Sequence, residues 1–441
     1  MQGAGCGVQV AGKRIKTLIM GINGDSKYKS LLRFTTAGSV DDGKSTLIGR
    51  LLYDSKSIFE DQMDHIVESS KRLGKEEVDL SLLTDGLRAE REQGITIDVA
   101  YRYFATPGRK FIIADTPGHI QYTRNMVTGA STADLAVILV DARKGVLEQT
   151  VRHSFIAELL DIRHIIFCIN KMDMVSYSEE TFLKIMEDLK LLSVNLGIED
   201  VHYIPISAKY GDNVVHASEN MKWYKGETFL KLIETIEIKK DKNPHGARFP
   251  VQAVIRPLSK VHHDYRGYAG RVVGGTFLKG DTVTILPTMI TSRISGIDTM
   301  ETSHSKAING DSVTITLEDQ VDVSRGNLIV KENELPESGQ DISLMTCWFN
   351  DAPLKIGGKY LVRNYSNETA CLIKSVGYKM NINTLEKETG STDIRMNDIA
   401  NITIRTAKPL FYDSYKKNNI TGSLIFIDEG TNETVAVGMI E

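Results

Sequence analysis

Apolar runs alternate with longer amphipathic stretches between residue 31 and about residue 240. The runs are nearly continuous, as in strands buried on both faces of a parallel sheet. They are residues 31–36, 111–115, 135–141, 164–170 and 203–207. After the third run, apolar residues recur at helical spacing, at Leu147, Val151, Phe155, Leu159 and Leu160. This predicts a crossover helix, and a helix-like segment also follows residue 45. We predict an α/β domain with a mostly parallel sheet.

The pattern changes after residues 239–244. Residues 247–332 contain short β-rich runs separated by turn signals, which predict an antiparallel barrel. The turn signals are Lys279-Gly280-Asp281, Asn309-Gly310-Asp311 and Ser324-Arg325-Gly326. A second barrel is predicted in residues 336–441, with strands at 342–348, 360–365, 369–378, 399–407 and 424–427. We therefore expect three domains, at 31–240, 247–332 and 336–441, after a poorly ordered leader of residues 1–30.

Composition narrows the class of protein. The chain has 441 residues, of which 41% are hydrophobic and 25% charged, as in soluble multidomain proteins. A net charge of −4 argues against a surface that coats nucleic acid. The four cysteines are far apart and form no CxxC pair, which is typical of reduced thiols in the cytosol. No apolar run has the length of a membrane span. We expect a cytoplasmic protein with no membrane or nucleic acid partner.

The first strand leads into a phosphate-binding motif. Its residues are Gly38, Ser39, Val40, Asp41, Asp42, Gly43, Lys44, Ser45 and Thr46. A strand, a glycine-bounded loop, Lys-Ser and a helix form the pattern of a P-loop, whose backbone N–H groups face phosphate oxygens. Lys44 is expected to reach the β- and γ-phosphates, and the Ser45 hydroxyl is expected to bind Mg²⁺.

Two further strand ends predict which base is bound. Asn170, Lys171, Met172 and Asp173 follow one strand, and Ser207, Ala208 and Lys209 follow the next. The Asp173 carboxylate can accept hydrogen bonds from both N1–H and N2–H₂ of guanine, a donor pair that adenine lacks. Discrimination by such a contact is worth about 2–4 kcal/mol. The Ser-Ala-Lys loop is expected to close the base pocket through a backbone N–H to guanine O6. We therefore expect GTP rather than ATP.

The remaining loops carry the predicted sensors of the γ-phosphate, namely Asp115, Thr116, Pro117, Gly118 and His119. Asp115 is expected to hold Mg²⁺ through water, and the Gly118 N–H to bond a γ-oxygen. His119 is expected to orient the attacking water. Thr96 is the candidate Mg²⁺ ligand of a switch loop that relaxes after hydrolysis. The predicted catalytic residues are thus Lys44, Thr96 and His119.

Two stretches, residues 86–96 and 115–119, resemble the translational class of GTPases, the group of elongation factor Tu and eukaryotic elongation factor 1 alpha. Longer stretches resemble the large GTPase subunit of bacterial sulfate adenylyltransferase (ATP sulfurylase). These are residues 38–54, 98–104, 121–132 and 264–272. The resemblance covers about residues 31–441 and is strongest in the α/β domain.

This resemblance implies a heteromeric enzyme. GTP hydrolysis on this chain would be coupled to adenylyl transfer on a small catalytic partner, which joins ATP and sulfate into adenosine 5′-phosphosulfate and pyrophosphate. The ATP and sulfate sites would lie on that partner. The alternatives are an elongation factor that delivers aminoacyl-tRNA and a GTP-binding scaffold that hydrolyses little.

Three departures from the relatives' pattern stand out. Ile120 replaces a glutamate that many relatives carry, which puts fine tuning of switch II in doubt. Asp42 stands where translation factors usually keep histidine. The adenylylsulfate kinase that some relatives carry after the barrels is not expected here.

Overall fold

The computed structural model describes residues 30–56, 80, 98–119, 122–238, 246–257, 265–299, 302–382 and 384–441. The chain divides into two compact units, with the boundary between Ile238 and Lys239. The first unit is an α/β domain, and the second contains two barrels. No helix in the described part of the chain is long and apolar enough to cross a membrane.

The first unit is built on a sheet of six strands. In chain order they are β1 (Leu31–Ala37), β2 (Ala100–Ala105), β3 (Lys110–Asp115), β4 (Leu135–Asp141), β5 (His164–Asn170) and β6 (Asp200–Pro205). The spatial order is β2-β3-β1-β4-β5-β6, and every pair is parallel except β2 with β3. β4 and β5 are buried at every position, and both match the predicted runs residue for residue. The prediction of a mostly parallel α/β sheet is confirmed.

Helices cover the sheet. They are α1 (Lys44–Asp54), α2 (Thr123–Ala130), α3 (Glu148–Leu159), α4 (Glu179–Leu196) and α5 (Phe229–Thr235). The predicted crossover helix is α3. One face of the sheet packs Phe34 and Ile113 against Leu47 of α1 and Phe229 of α5 in a single core. This packing fixes the carboxyl ends of β1, β3, β4 and β5, so that the loops following them share one edge of the sheet.

The first barrel of the second unit consists of antiparallel strands. They are β7 (Arg248–Ile255), β8 (Gly267–Arg271), β9 (Thr276–Leu278), β10 (Thr282–Leu286), β11 (Ile290–Asp298), β12 (Ser303–His304), β13 (Lys306–Ile308), β14 (Ser312–Leu317) and β15 (Leu328–Lys331). The order β10-β15-β7-β8-β14-β11 closes through β11 on β10. Its turns follow the predicted chemistry. Gly280 and Gly310 have φ angles of 92° and 98°, and Asp281 and Asp311 each accept from the backbone N–H three residues earlier.

The second barrel closes in the same way. Its strands are β16 (Glu337–Trp348), β17 (Lys359–Asn364), β18 (Asn367–Asn381), β19 (Glu386–Thr389), β20 (Ile399–Tyr412), β21 (Ser423–Ile427) and β22 (Thr434–Ile440). The order β17-β21-β22-β16-β20-β18 closes through β18 on β17. Each strand predicted for this region falls within or against one of these elements, and the prediction of two small antiparallel barrels is confirmed.

A buried ion pair joins the two barrels. Arg248 of β7 donates from Nε and Nη2 to the Asp413 carboxylate at 3.0 and 2.9 Å. Both side chains are almost fully buried, and the Thr421 hydroxyl donates to the same carboxylate at 2.6 Å. Asn418 adds a bond from Nδ2 to the Val273 carbonyl at 3.0 Å. Buried polar contacts therefore hold the two barrels together.

Candidate functional site

The loop between β1 and α1 has the backbone shape of an anion cradle. Gly38, Asp41 and Gly43 have positive φ angles of 152°, 70° and 93°, and α1 begins immediately afterwards, at Lys44. Alternating backbone conformations of this kind aim successive N–H groups at one point, and the helix N-terminus adds partial positive charge. Val40 in this loop is half-buried, as are Ser45 and Thr46 in the first turn of α1. The loop can therefore bind phosphate.

Two buried charged residues, Asp42 in this loop and Lys44 at the start of α1, lie close to its backbone. The Lys44 Nζ donates to the Gly38 carbonyl at 3.0 Å. Burial lowers the pKa of Lys44, and the charges of Asp115, Asp42 and Asp41 oppose that effect. Burial raises the pKa of Asp42, against the backbone N–H of Ser39, which donates to its Oδ2 at 2.7 Å. Among the described residues, Asp42 Oδ1 and Ser39 Oγ have no hydrogen-bond partner. Asp42 thus acts inside the loop, holding its backbone.

The loop after β3 packs directly on the P-loop. The Thr36 hydroxyl donates to Asp115 Oδ1 at 3.1 Å, and the Thr116 hydroxyl donates to the Thr36 carbonyl at 2.6 Å. Pro117 is buried. A Cβ on Gly118 would lie 2.2 Å from the Gly38 carbonyl oxygen and 2.5 Å from Lys44 Nζ. Only glycine allows this approach, which brings the Gly118 backbone to the amine expected to bind the γ-phosphate.

Asn170 links two loops on the other side of the P-loop. Its Nδ2 donates to the Asp42 carbonyl at 2.7 Å, and its Oδ1 accepts from the Ala208 N–H at 2.9 Å. Asn170 is 2% exposed. The Asn170 side chain therefore links the loop that carries the predicted phosphate contacts to the Ser-Ala-Lys loop.

The predicted base-recognition residues meet as well. The Ser207 hydroxyl donates to Asp173 Oδ1 at 2.6 Å and accepts from the Tyr210 N–H at 3.3 Å. Met172 is buried, and it opens a short 3₁₀ helix, Met172–Val175. Lys209 is exposed, and its ammonium lies over the Tyr210 ring. The Ser207 hydroxyl therefore fixes one oxygen of Asp173 and ties its carboxylate to the Ser-Ala-Lys loop.

Sequence reasoning missed Asp141 and Arg143 at the end of β4. The Asp141 side chain is fully buried, and it contacts Lys171 of the base loop at 2.9 Å and Arg143 at 2.6 Å. Burial acts to raise the pKa of Asp141, but hydrogen bonds from Arg143 and Lys171 outweigh it and hold this pKa well below its usual range. A signal was available, because Asp141 ends a fully apolar strand at the same edge as the other loops.

The remaining predicted positions concern hydrolysis and the metal. His119 is half-buried, and its ring meets that of Tyr122 edge-on with centroids 6.2 Å apart. Thr96 and Ile120 lie outside the described residues. Ser45 and Asp115 supply hydroxyl and carboxylate oxygens, the donors that Mg²⁺ prefers. The donor set is thus suited to Mg²⁺ bound together with a nucleotide triphosphate.

Comparisons with known protein families agree with this site. The family described as "Elongation factor Tu GTP binding domain" matches residues 29–244, and "GTP-eEF1A C-terminal domain-like" matches residues 341–441. The chain is therefore a GTP-binding protein of the translation-factor type. The GTPase-like domain of S. cerevisiae Ski7, solved bound to GTP, shares the fold. It is 18% identical with a TM-score of 0.51, and the match covers 97% of this chain and 99% of that one.

Other relatives are much more similar to this chain in sequence, and their names refer to sulfate adenylyltransferase or to CysN/CysC. Sulfate adenylyltransferase subunit 1 of Bacteroides thetaiotaomicron is 51% identical over 424 residues, which cover 94% of this chain and 87% of the relative. The bifunctional enzyme CysN/CysC of Mycobacterium tuberculosis is 49% identical over 412 residues, which cover 93% of this chain and 67% of that enzyme. These relatives do not favour the elongation-factor alternative.

Proposed function

This chain belongs to the sulfate adenylyltransferase subunit 1 family, and on that premise we propose that it is the GTP-hydrolysing regulatory subunit of such an enzyme. It binds a small catalytic subunit in the cytoplasm. GTP hydrolysis on this chain drives adenylyl transfer from ATP to sulfate on the small subunit, with release of pyrophosphate. The sulfate–phosphate anhydride is uphill from ATP, so coupling to GTP hydrolysis lets the product accumulate.

One observation carries the proposal: Asn170 bonds the P-loop and the Ser-Ala-Lys loop together, beside an Asp173 held by Ser207. This arrangement supports a site in which phosphate binding and guanine recognition are pre-organised together. Nucleotide contacts are assigned to residues 38–46, 115–119, 170–173 and 207–209. The domain boundaries at 31–240, 247–332 and 336–441 are part of the same proposal.

The proposal also assigns roles at the γ-phosphate. Lys44 neutralises the β- and γ-phosphates, and the Gly118 N–H binds a γ-oxygen. His119 orients the attacking water. Ser45, Thr96 and Asp115 would hold Mg²⁺, which when bound offsets the negative charge on the phosphates. Thr96, which lies outside the described residues, would ligate the metal only while the γ-phosphate is present, and loss of that ligand would release the switch loop and signal to the partner.

The test combines binding with turnover. The full chain is titrated with GTP and with ATP, and is then co-expressed with candidate small subunits encoded near it. We expect GTP to bind at least about 30-fold more tightly than ATP, as the loss of a bidentate base contact implies. We expect pyrophosphate release from ATP and sulfate to require GTP. Equal affinity for ATP, or release that is indifferent to GTP in every purified complex, would overturn the proposal.

A further inference from the structure

The Asp141 carboxylate pairs with two cations, Arg143 and Lys171. Its Oδ1 accepts from the backbone N–H and the Nε of Arg143 at 2.9 and 3.0 Å. Its Oδ2 accepts from Arg143 Nη2 at 2.6 Å and faces Lys171 Nζ at 2.9 Å. Among these three side chains only the carboxylate is fully buried, since Arg143 is 40% and Lys171 24% exposed. The buried Asp141 carboxylate is therefore neutralised by two side chains, Arg143 and Lys171, that are themselves partly exposed to solvent.

Lys171 is held from two sides in an unfavourable backbone conformation. Its φ angle is 64°, in the left-handed region, which is unfavourable for a residue other than glycine. Its Nζ also donates to the Asp41 carbonyl of the P-loop. The ammonium thus bridges β4 and the P-loop, while the main chain of Lys171 begins the turn that carries Asp173. Such a conformation persists only where the surroundings fix it.

We propose that Asp141 is a positioning residue for guanine nucleotide binding, which acts by fixing Lys171 between the base loop and the P-loop. Arg143 keeps the Asp141 carboxylate in place from the solvent side. The inference rests on the proposed function, because it concerns the same nucleotide site. It adds a residue from β4, a strand from which no nucleotide contact was assigned.

The proposal predicts a particular kinetic pattern. Lys171 is anchored to Asp41 and to the base loop, away from the loop that senses the γ-phosphate. Loss of Asp141 therefore weakens GTP and GDP binding by the same factor, as expected for an interaction that is equal in the ground and transition states. A hydrogen bond to a charged group is worth enough to change affinity about 10- to 100-fold. The turnover number at saturating GTP stays unchanged.

The chain offers a matched control. Asp161 and Arg163 have the same spacing, with Oδ1–Nε and Oδ2–Nη2 distances of 3.4 and 3.3 Å, but they lie just before β5. The experiment compares Asp141→Asn with Asp161→Asn in the full chain. It measures dissociation constants for fluorescent GTP and GDP analogues, the hydrolysis rate at saturating GTP, and urea unfolding without nucleotide. We expect both dissociation constants to rise 10- to 100-fold in D141N only.

Other outcomes decide against the inference. Unchanged dissociation constants in D141N would overturn it, and so would lower unfolding stability with normal binding, which indicates a structural role alone. If D141N does not fold, Arg143→Gln is compared with Arg163→Gln. We expect R143Q to weaken binding of both nucleotides about threefold or more, and normal binding by R143Q would overturn the inference. A wild-type chain that fails to bind GTP would instead refute the proposed function.

Discussion

The amide of Asn170 donates to the carbonyl oxygen of Asp42 at 2.7 Å, across 128 positions of the sequence. Asn170→Ala removes this bond and leaves the Ala208 N–H unpaired as well. We expect the free energy of unfolding of the first unit to fall by about 2–4 kcal/mol, since each buried group left unpaired costs about 1–3 kcal/mol. GTP affinity should fall at least tenfold.

The chain's two tryptophans report on the two units separately, because Trp223 lies in the first and Trp348 in the second. Urea unfolding in a Trp348→Phe background therefore follows the first unit alone. Asn364→Ala is the matched control, because Asn364 also makes two buried bonds, to Thr421 and Ser423, within the last barrel. It should leave GTP binding unchanged; a similar loss of affinity in both variants would contradict the linking role of Asn170.

Asp173→Asn should change which base is bound. An asparagine amide can donate to the C2 carbonyl of xanthine, whereas the carboxylate accepts from the N2 amine of guanine. We expect the dissociation constant for GTP to rise about 30-fold or more and that for XTP to fall, measured by competition against a fluorescent GDP analogue. Asp188→Asn, on the exposed face of α4, is the control. Unaltered preference for GTP would show that Asp173 does not contact the base.

His119→Ala should separate binding from hydrolysis. A group that orients the attacking water contributes about 100-fold or more to the rate. We expect single-turnover GTP hydrolysis to slow by about that factor while the GTP dissociation constant stays within about twofold. His216→Ala, at an exposed histidine, serves as the control. An undiminished rate in H119A would remove the assigned role.

His153 on α3 makes the first unit sensitive to acid. Burial, assisted by the charges of Lys44 and Arg152, lowers the pKa of His153 to about 3. Below pH 6.5 the unfolded chain binds a proton at this residue and the folded chain does not, so stability falls as the pH drops from 6.5 toward 3. We expect His153→Gln to lose about 2–3 kcal/mol less than the wild type between pH 6.5 and 4.5.

The measurement is urea unfolding at both pH values in the Trp348→Phe background. His216→Gln, which removes an exposed histidine, should follow the wild type. Parallel losses in H153Q and wild type would mean that His153 is not the group responsible.

Arg248→Met should destabilise the second unit. It leaves the buried Asp413 charge with the Thr421 hydroxyl but without its guanidinium, a change that costs about 3–5 kcal/mol. Replacing both partners, as Arg248→Met with Asp413→Leu, should recover most of that loss. Unfolding is followed through Trp348 in a Trp223→Phe background. Arg395→Met, which breaks an exposed ion pair with Asp393, is the control and should have little effect.

The sequence predicted the buried strands well because their signal is local. β4 and β5 are buried at every position, and the unbroken apolar runs 135–140 and 165–169 mark them up to their polar end residues. β6 begins three residues before the predicted run, since Asp200 and His202 are polar and half-buried. β2 was not predicted. It is an antiparallel edge strand whose Tyr101 and Tyr103 are exposed, and only its pairing with β3 identifies it.

In the candidate site, too, local features could be predicted from the sequence and long-range contacts could not. Loops at the ends of parallel strands share an edge, so their residues could be grouped from sequence. The bonds among them could not, because Asn170 to Asp42 and Lys171 to Asp141 join positions that are distant in the chain. A motif identifies residues by type and spacing. Asp141 lies outside the motifs described above, so they could not identify it.

The ion pair between Arg248 and Asp413 also limits how this molecule can be recombined. Consider a chimera in which only the last barrel is exchanged for one from another protein. Arg248 would then be buried without an ion-pair partner, unless the new barrel had a carboxylate at the position of Asp413. In such a chimera, residues 247–441 are therefore best exchanged together.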